Sequence, residues 1–326
     1  CSETGGGLYL SGDNARLYGC TFYENNSSDD YDTDCLAGGA YVYSNDAEIS
    51  GCIFENNFIH ASDHYYYYSS GFGGGAVVGG TGITIKNCTF VGNQTTCSYV
   101  GGGGALGLET TDSIVTDCIF ENNSATGNYY SGGGALLLLS SATNIYNSLF
   151  LYNHSSGSFG GSAISYPGYL IYFSYPSLGI VNSTFYDNQT TYGTSSVISC
   201  TDSSLQMDIQ NCILWNEDEE EIVADGAQVT VGYSDIQGGY EGIGNIDANP
   251  LFLDGERGDL RVSTNSPCIN TGNPAGVPPA PQRDIVGTWR PQYDLVDMGA
   301  YEYDASTPEA SIYLLSPPQT SADAIM

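Results

Sequence analysis

A four-residue pattern recurs along most of this chain and limits its fold more than any other feature. Each copy places Cys or Ser two positions before a large apolar residue, as in Gly-Cys-Thr-Phe at residues 19–22. Successive copies are 32, 36, 30, 30, 35, 29 and 22 residues apart. A constant motif at variable spacing indicates one structural rung per copy, with insertions of different length between the rungs. The Cys or Ser positions are Cys20, Cys52, Cys88, Cys118, Ser148, Ser183, Cys212 and Ser234.

Aligning the copies gives columns of distinct chemistry. Two residues after the Cys or Ser comes a phenylalanine column, followed by Leu214 and Ile236 in the last two copies. Small and large positions therefore alternate with period two, as the inward positions of a strand do. The residue before the Cys or Ser is Gly, Asn or Asp in the first seven copies, and these residues tolerate a left-handed backbone at a corner. The phenylalanine column is Phe22, Phe54, Phe90, Phe120, Phe150 and Phe185.

Five residues after the Cys or Ser lies an asparagine column, where stacked amides can bond from rung to rung. Short strands with corners, repeated about every 30 residues, predict an all-β fold: a right-handed parallel β-helix of about seven or eight rungs. We expect the β-helix repeats over residues 1–240, a C-terminal rung or capping segment over 241–304, and a linker or tail over 305–326. The asparagine column is Asn25, Asn57, Asn93, Asn123, Asn153 and Asn188.

The Asn-Cys-Thr-Phe rung at residues 87–90, with the Gly-Gly-Gly runs that start other strands, resembles the right-handed β-helix repeats of bacterial polymorphic-outer-membrane-type surface proteins. The stretches 245–252, 258–261, 266–272 and 297–302 are similar to the closing segment of large secreted β-helix proteins that carry a further C-terminal sorting or anchor domain. The resemblance covers nearly the whole chain. It implies a β-helix at the cell surface and does not by itself imply an activity.

The charge balance excludes one class of partner. The chain has 37 acidic and 6 basic residues, a formal net charge of -31, whereas nucleic-acid binding needs Lys and Arg for the phosphates. The longest apolar run, residues 135–139, is far shorter than a membrane helix, so we expect no membrane insertion. Acidity together with Tyr-, Ser-, Asn- and Thr-rich insertions favours an extracellular or cell-surface location.

Calcium is a candidate cofactor, because this much negative charge opposes folding unless ions screen it. Ca²⁺ needs six to eight oxygen ligands, and the C-terminal part supplies a set of carboxylates without a fixed Ca-loop spacing. The three histidines give no zinc pattern. The candidate calcium ligands are Asp247, Asp254, Asp259, Asp284, Asp294 and Asp297.

The insertions follow the asparagine column, so we expect them to emerge as loops on one side of the coil. They are rich in tyrosine, which suits glycan or protein binding; the alternative is that these rings only cover the coil. The column cysteines are predicted to be buried thiols, because Ser replaces Cys in three rungs. Cys1 and Cys35 precede equivalent glycine runs and form a disulfide candidate. The candidate ligand-binding tyrosines are Tyr65, Tyr66, Tyr67, Tyr68, Tyr129 and Tyr130.

For function we expect a non-catalytic extracellular surface protein, structural or adhesive. The chain opens in a stretch that matches the middle of a rung, so like subunits stacked end to end, or further domains of the same chain, are expected partners, together with surface glycans or host or cell-surface proteins. The alternative is a carbohydrate-active β-helix enzyme, a polysaccharide lyase or hydrolase, or a glycan-binding module. The rungs carry almost no basic residue to act as a lyase base, although two suitably spaced carboxylates would suffice for hydrolysis. No residue is predicted to be catalytic.

Overall fold

The computed structural model of the 326-residue chain describes residues 5–29, 35–61, 70–98, 100–127, 130–140, 142–158, 160–168, 176–192, 196–217, 219–273, 275, 282–292 and 295–306. Within them the chain forms a right-handed parallel β-helix, as predicted. Three sheets of eight parallel strands wind around one apolar core. No helix in the described residues has the length and apolarity needed to cross a membrane.

Each rung contributes one strand to each of the three sheets, and rungs are numbered here by their strand in sheet C. Sheet A contains Leu8–Ser11, Ala40–Tyr43, Ala76–Gly80, Leu106–Thr110, Leu136–Leu138, Ile164–Tyr166, Ser196–Cys200 and Glu220–Ala224. Sheet B contains Arg16–Tyr18, Glu48–Ser50, Ile83–Lys86, Ser113–Thr116, Ala142–Tyr146, Ser177–Val181, Gln206–Gln210 and Gln228–Gly232. Sheet C contains Thr21–Tyr23, Ile53–Glu55, Thr89–Val91, Ile119–Glu121, Leu149–Leu151, Thr184–Tyr186, Ile213–Trp215 and Asp235–Ile236.

The inward columns form the core as predicted. The six phenylalanine rings stack face to face with centroids 4.6–5.0 Å apart. The corner residues between sheets B and C have positive φ, such as Asn87 at 50° and Asp117 at 54°. Cys52, Cys88, Cys118 and Cys212 carry free, buried thiols. Burial raises the pKa of the Cys212 thiol to about 12, so this column is chemically quiet.

The asparagine column is a continuous amide ladder, which confirms the prediction. Each side-chain Nδ2 donates to the Oδ1 of the next rung at 2.8–3.0 Å. Asn123 shows the full pattern, since its Nδ2 also donates to the Phe90 carbonyl at 2.9 Å. Its backbone N–H shares the Asn153 Oδ1 at 3.0 Å. Every rung is therefore tied to its neighbours by buried, directional bonds.

The ladder runs one rung further than the sequence pattern predicts. Asn216 follows Cys212 by four residues instead of five, because that rung lacks the positive-φ residue that Asp187 supplies one rung earlier. The ladder then ends on Glu221, whose carboxylate accepts the Asn216 N–H at 2.8 Å and its Nδ2 at 2.7 Å. Burial raises the pKa of Glu221 to about 8, although the bonds from Asn216 lower it.

The insertions predicted as loops are strands in the described residues. They form two further parallel sheets at the asparagine corner, which we name the fin. Its inner faces bury Cys35, Ile59, Ala61 and Cys97. A Cβ at Gly101 would lie 2.3 Å from the Cys97 Sγ, so glycine there permits the close approach of the sheets. The fin strands are Asn26–Asp29, Phe58–Ala61, Gln94–Cys97, Ser124–Gly127, His154–Ser156 and Gln189–Tyr192 in sheet D, and Cys35–Leu36, Ser70–Phe72, Val100–Gly102 and Tyr130–Gly132 in sheet E.

The C-terminal part of the chain adds one short contact to the last rung and then leaves the coil. Ile246 forms an isolated parallel bridge with Asp235, as the predicted further rung would. The chain then turns back along the outside of sheet C, and we name the described residues within 249–306 the return segment. It contains the antiparallel strands Phe252–Asp254 and Asp259–Val262, joined by the 3-10 helix Gly255–Arg257. The predicted division into residues 1–240, 241–304 and 305–326 stays a prediction.

Candidate functional site

The outer face of sheet C is covered by the return segment in its later rungs. In rung 5 the outward Leu149 and Leu151 are each 3% exposed and pack against Leu260 and Ala300. In rung 7 the outward Ile213 is 1% exposed, in a cluster with Val262, Cys268 and Met298. Apolar residues on the outside of these strands therefore form a second core, against which the return segment docks.

Backbone groups fix the return segment on the coil. The Gly299 N–H donates to the Asn211 carbonyl at 2.7 Å, and the Ala300 N–H donates to the Thr184 Oγ1 at 2.9 Å. The side chain of Asn211 also accepts the Asn273 N–H at 2.8 Å. Because these bonds come from corner and strand positions of successive rungs, they set the position of the segment along the coil.

A buried arginine holds the return segment together. Arg290 is 8% exposed and donates to the Glu302 Oε2 at 3.2 Å and to the Gly299 carbonyl at 2.8 Å. Burial, and then the nearby Asp297, raises the pKa of Glu302 to about 7, while Arg290 opposes that rise. A charge buried this deeply is tolerated only when it is paired and hydrogen-bonded.

The hairpin of the return segment is anchored on rungs 5 and 6. The Phe252 ring meets the Tyr186 ring edge to face, with centroids 5.4 Å apart. The Tyr152 hydroxyl donates to the Gly255 carbonyl. A Cβ at Gly255 would lie 2.8 Å from Tyr186 ring atoms, so a glycine is needed for the hairpin to approach the coil this closely.

A cleft of about 570 Å³ lies between this hairpin and rungs 6 and 7. The coil contributes two aromatic and two acidic side chains, and the hairpin contributes one ring, two more acids and backbone. The volume is typical of a small-molecule or oligosaccharide site. The lining residues are Tyr186, Asp187, Trp215, Glu217, Asn249, Leu251, Phe252, Leu253, Asp254, Gly255 and Glu256.

The electrostatics of the cleft are negative. Four of its lining residues are carboxylates, and the described residues that line it include no Lys, Arg or His. Arg257 lies beside the cleft and pairs with Asp254 at 3.0 Å. Burial, and then the neighbouring carboxylates, raises the pKa of Tyr186, so its hydroxyl stays neutral and can donate or accept a hydrogen bond.

One lining residue has a strained backbone. Leu251 has φ of 56° and is 38% exposed, although a branched residue rarely adopts the left-handed region. Its N–H is held by the Asn249 Oδ1 at 2.9 Å, and its carbonyl accepts the Ser263 N–H at 2.9 Å. Strain maintained in this way occurs often at functional sites, which strengthens the assignment of the cleft as the candidate site.

The predicted calcium ligands are already engaged with protein groups where the structure describes them. Asp259 binds Arg261 through both carboxylate oxygens, at 2.8 and 2.6 Å. Asp284 accepts backbone N–H groups in its own turn, and Asp297 accepts the Asn270 N–H at 2.7 Å. In the part of the chain that is described, no three His, Cys, Asp or Glu side chains gather as a metal ion would require.

The remaining predicted calcium ligands, Asp247, Asp254 and Asp294, do not form a metal site in the described residues either. Asp247 accepts the Gly238 N–H at 3.2 Å. Asp254 pairs with Arg257 and lines the cleft, and Asp294 lies outside the described residues. The calcium prediction therefore gains no support from these positions.

The predicted tyrosine face and disulfide fall largely outside the described residues. This applies to Cys1 and to five of the six tyrosines, whereas Tyr130 lies in a fin strand without a described side chain. Cys35 is buried inside the fin, with its Sγ 3.9 Å from the His60 carbonyl. Both predictions stay predictions. The five tyrosines are Tyr65, Tyr66, Tyr67, Tyr68 and Tyr129.

Sequence reasoning missed the cleft residues Tyr186 and Trp215. The residue types at the outward positions of sheet C could have indicated that the later rungs are covered. These positions are Thr21 and Tyr23 in rung 1, but Leu149 and Leu151 in rung 5, and two leucines facing outward predict a covered surface.

Residues 1–139 match a protein family described as the right handed beta helix region. Among solved structures, the chain is similar to the crystal structure of pectate lyase Pel9A, with a TM-score of 0.45 and 15% sequence identity. That match covers 91% of this chain and 72% of the other. No curated protein matches the chain. The stacked parallel sheets and the family match together establish the β-helix fold.

Proposed function

We propose that this protein is a non-catalytic, extracellular, adhesive surface protein that binds glycans in the cleft between the return segment and rungs 6 and 7. The observation that carries the proposal is the composition of that cleft, in which Tyr186, Trp215 and Phe252 stand beside four carboxylates. Aromatic rings cover the C–H faces of sugars, and carboxylates accept hydrogen bonds from their hydroxyl groups. A rigid coil holds these groups in place, so little ordering is needed on binding.

The extracellular location is supported by composition and by resemblance. The net charge of -31 leaves few cations for intracellular polyanionic partners. The rungs and the closing segment resemble those of bacterial surface proteins, for which a long, rigid coil is a suitable spacer. A binding cleft on such a coil suits adhesion to a glycan-coated surface.

The second candidate function is glycoside hydrolysis in the same cleft. The observation that favours it is the presence of Asp187 and Glu217 on one wall and of Asp254 and Glu256 on the other. Glycosidases use two carboxyl groups that flank the bond to be cleaved. Measuring new reducing ends with any glycan that binds separates the two functions, because an adhesive protein releases none.

A pair of tryptophan variants tests the proposal. The chain has two tryptophans, of which Trp215 lines the cleft and Trp289 stacks against Arg283 elsewhere on the return segment. After a glycan array identifies binders, calorimetry should show at least about tenfold weaker binding for Trp215→Ala, because loss of a central aromatic contact is costly. Trp289→Ala should bind as the unchanged protein does. Equal binding by both variants, or no binder on the array, would overturn the proposal.

A further inference from the structure

We infer that the glycan bound in this cleft is cationic, an amino-sugar polymer with free amines, and not a neutral or uronic-acid polymer. The inference rests on the proposed function and specifies its ligand class. It is carried by the placement of the carboxylates and rings around the cleft and by the absence of cations among its described lining residues.

Acidic residues line the cleft on both walls. Asp187 and Glu217 belong to the coil, and Asp254 and Glu256 belong to the hairpin. Arg257 is next to the last two, but it is 64% exposed and pairs with Asp254, which leaves the cleft with an excess of negative charge. A uronic-acid chain in this position would meet like charge on both sides. A neutral chain can donate hydroxyl hydrogen bonds to the carboxylates but leaves their negative charge unbalanced, whereas an ammonium group balances it.

The aromatic rings favour an ammonium group as well. Trp215 and Tyr186 are the ring types that attract a cation most strongly through their π faces. An amino sugar combines an ammonium with an apolar C–H face on one small ring, so a carboxylate and an aromatic ring can bind it at the same time.

The long-range field has the same sign as the cleft. With 37 acidic and 6 basic residues, the protein attracts polycations and repels polyanions before contact, an effect that salt screens over about 10 Å. The association of a polyamine glycan is therefore accelerated, and the cleft provides the specific contacts.

A basic peptide carries similar charge, but the cleft suits a glycan better. Peptides commonly bind by adding a strand to a free sheet edge. Here the coil strand Ile213–Trp215 already has a paired strand on each side, so that wall of the cleft offers no free strand edge. The walls thus present mainly rings and carboxylates, which match hydroxyl and ammonium groups.

The test uses the Trp289→Phe protein, in which Trp215 is the sole tryptophan and its fluorescence reports on the cleft. It is titrated with the hexamer of glucosamine, the hexamer of N-acetylglucosamine and the hexamer of galacturonic acid, at low and at high salt. We expect the glucosamine hexamer to bind at least about tenfold more tightly than its acetylated form, with affinity falling as salt rises. The galacturonate hexamer should not bind.

Charge-removing variants complete the test. Glu217→Gln should weaken binding of the glucosamine hexamer about two- to fivefold, as expected for a solvent-accessible ion pair, and weaken binding of the acetylated hexamer clearly less. The matched control is Glu241→Gln, since Glu241 is exposed and does not line the cleft; it should change neither affinity.

The outcomes distinguish the two proposals. Equal binding of both hexosamine hexamers, with no effect of Glu217→Gln, overturns the cationic ligand class and leaves glycan binding intact. Failure of every glycan to bind overturns both proposals. Hexalysine that binds as tightly as the glucosamine hexamer, with the same dependence on Glu217, overturns the choice of a glycan over a basic peptide.

Discussion

Ile53 and Ile213 occupy the same outward column of sheet C, five rungs apart, and their surroundings differ completely. Ile53 is 40% exposed, whereas Ile213 is 1% exposed beneath the return segment. The inward neighbours of these two residues, Phe54 and Leu214, are both fully buried. The coil is therefore uniform on its inside from rung 2 to rung 7, and it differs between its two halves only on its outside.

This difference shows where a repeat protein can acquire a site. Inward positions must match the rungs above and below, so their residue types are restricted. Outward positions have no such restriction, and rungs 5 to 7 use this freedom to dock a segment without repeats. The cleft lies where that segment meets the coil, at Tyr186, Trp215 and Phe252.

Arg290→Met is expected to have the largest effect on stability. It should loosen the return segment, so that rungs 5 to 7 become exposed as rung 2 is. It leaves Glu302 buried without its cation, which should destabilise docking of the return segment by about 3–5 kcal/mol. Limited proteolysis followed by mass spectrometry should show cleavage within residues 249–306 before the coil is cut. The control is Arg16→Met, which removes a surface pair with Glu48 at 3.8 Å and should cost less than about 1 kcal/mol. Equal protease sensitivity of the two variants would contradict the docking role of Arg290.

Asn123→Ala acts on the ladder that both halves share. It removes the acceptor of the Asn93 amide and the donor to the Phe90 carbonyl, all in the buried interior. We expect a loss of about 2–4 kcal/mol in the free energy of unfolding, because each buried polar group without a partner costs about 1–3 kcal/mol. Asn25→Ala, at the half-buried first position of the ladder, should cost clearly less in urea unfolding. Equal losses of unfolding free energy in the two variants would show that a buried position in the ladder stabilises the protein no more than its first position does.

Mild acid should strengthen the docking of the return segment. Burial raises the pKa of Glu302 to about 7 and that of Asp235, which accepts a hydrogen bond from Cys268 of this segment, to about 6. A carboxyl whose folded pKa is raised stabilises the fold fully below its unfolded value, near 4.5 for Glu302, and loses that contribution as pH rises through the folded value. Docking should thus weaken between pH 5 and pH 8, on the order of 1–3 kcal/mol.

Glu302→Gln provides the control for this titration. The measured quantity is the temperature at which protease begins to cut the return segment, determined at each pH. Glu302→Gln should remove the change in this temperature near pH 7 and leave the change near pH 6 that is due to Asp235. The raised pKa of Glu221, at the end of the ladder, acts in the same direction on the coil itself. Docking that grows stronger from pH 5 to pH 8 would contradict this account.

The smallest effects are expected from the two isoleucines themselves. Ile213→Thr places a hydroxyl in the apolar contact with Val262 and Met298 and should cost about 1–2 kcal/mol in urea unfolding. Ile53→Thr, on the exposed face, should stay within about 0.5 kcal/mol. A larger cost for Ile53→Thr would mean that its face is covered in solution.

The sequence was sufficient for the inside of the coil because each inward column repeats one physical requirement. The phenylalanine and asparagine columns were predicted by position and are confirmed, and four of the five column cysteines are buried as predicted, whereas Cys20 in rung 1 is half-buried. Asn216 was missed because it follows Cys212 by four residues instead of five. It still accepts the hydrogen bond from the Asn188 side chain, as the other ladder residues do. A fixed spacing rule is therefore less reliable than the chemistry of the column.

The fin and the return segment were beyond this kind of reasoning. Fin strands such as Gln94–Cys97 are short and polar, so they pair only because the rungs beneath already align them. The return segment has no repeat, and its position depends on long-range contacts such as Gly299 with Asn211. The outward Leu149, Leu151 and Trp215 indicate that something covers rungs 5 to 7, but they do not specify which segment does so.

Hydroxyl-radical footprinting read by mass spectrometry tests the central claim most directly, because it compares one residue type in one column. The account predicts that Ile53 is oxidised several times faster than Ile213, and that the glucosamine hexamer protects Trp215 while Trp289 stays reactive. Equal oxidation rates for Ile53 and Ile213 would contradict the claim that the return segment covers the later rungs and forms the cleft.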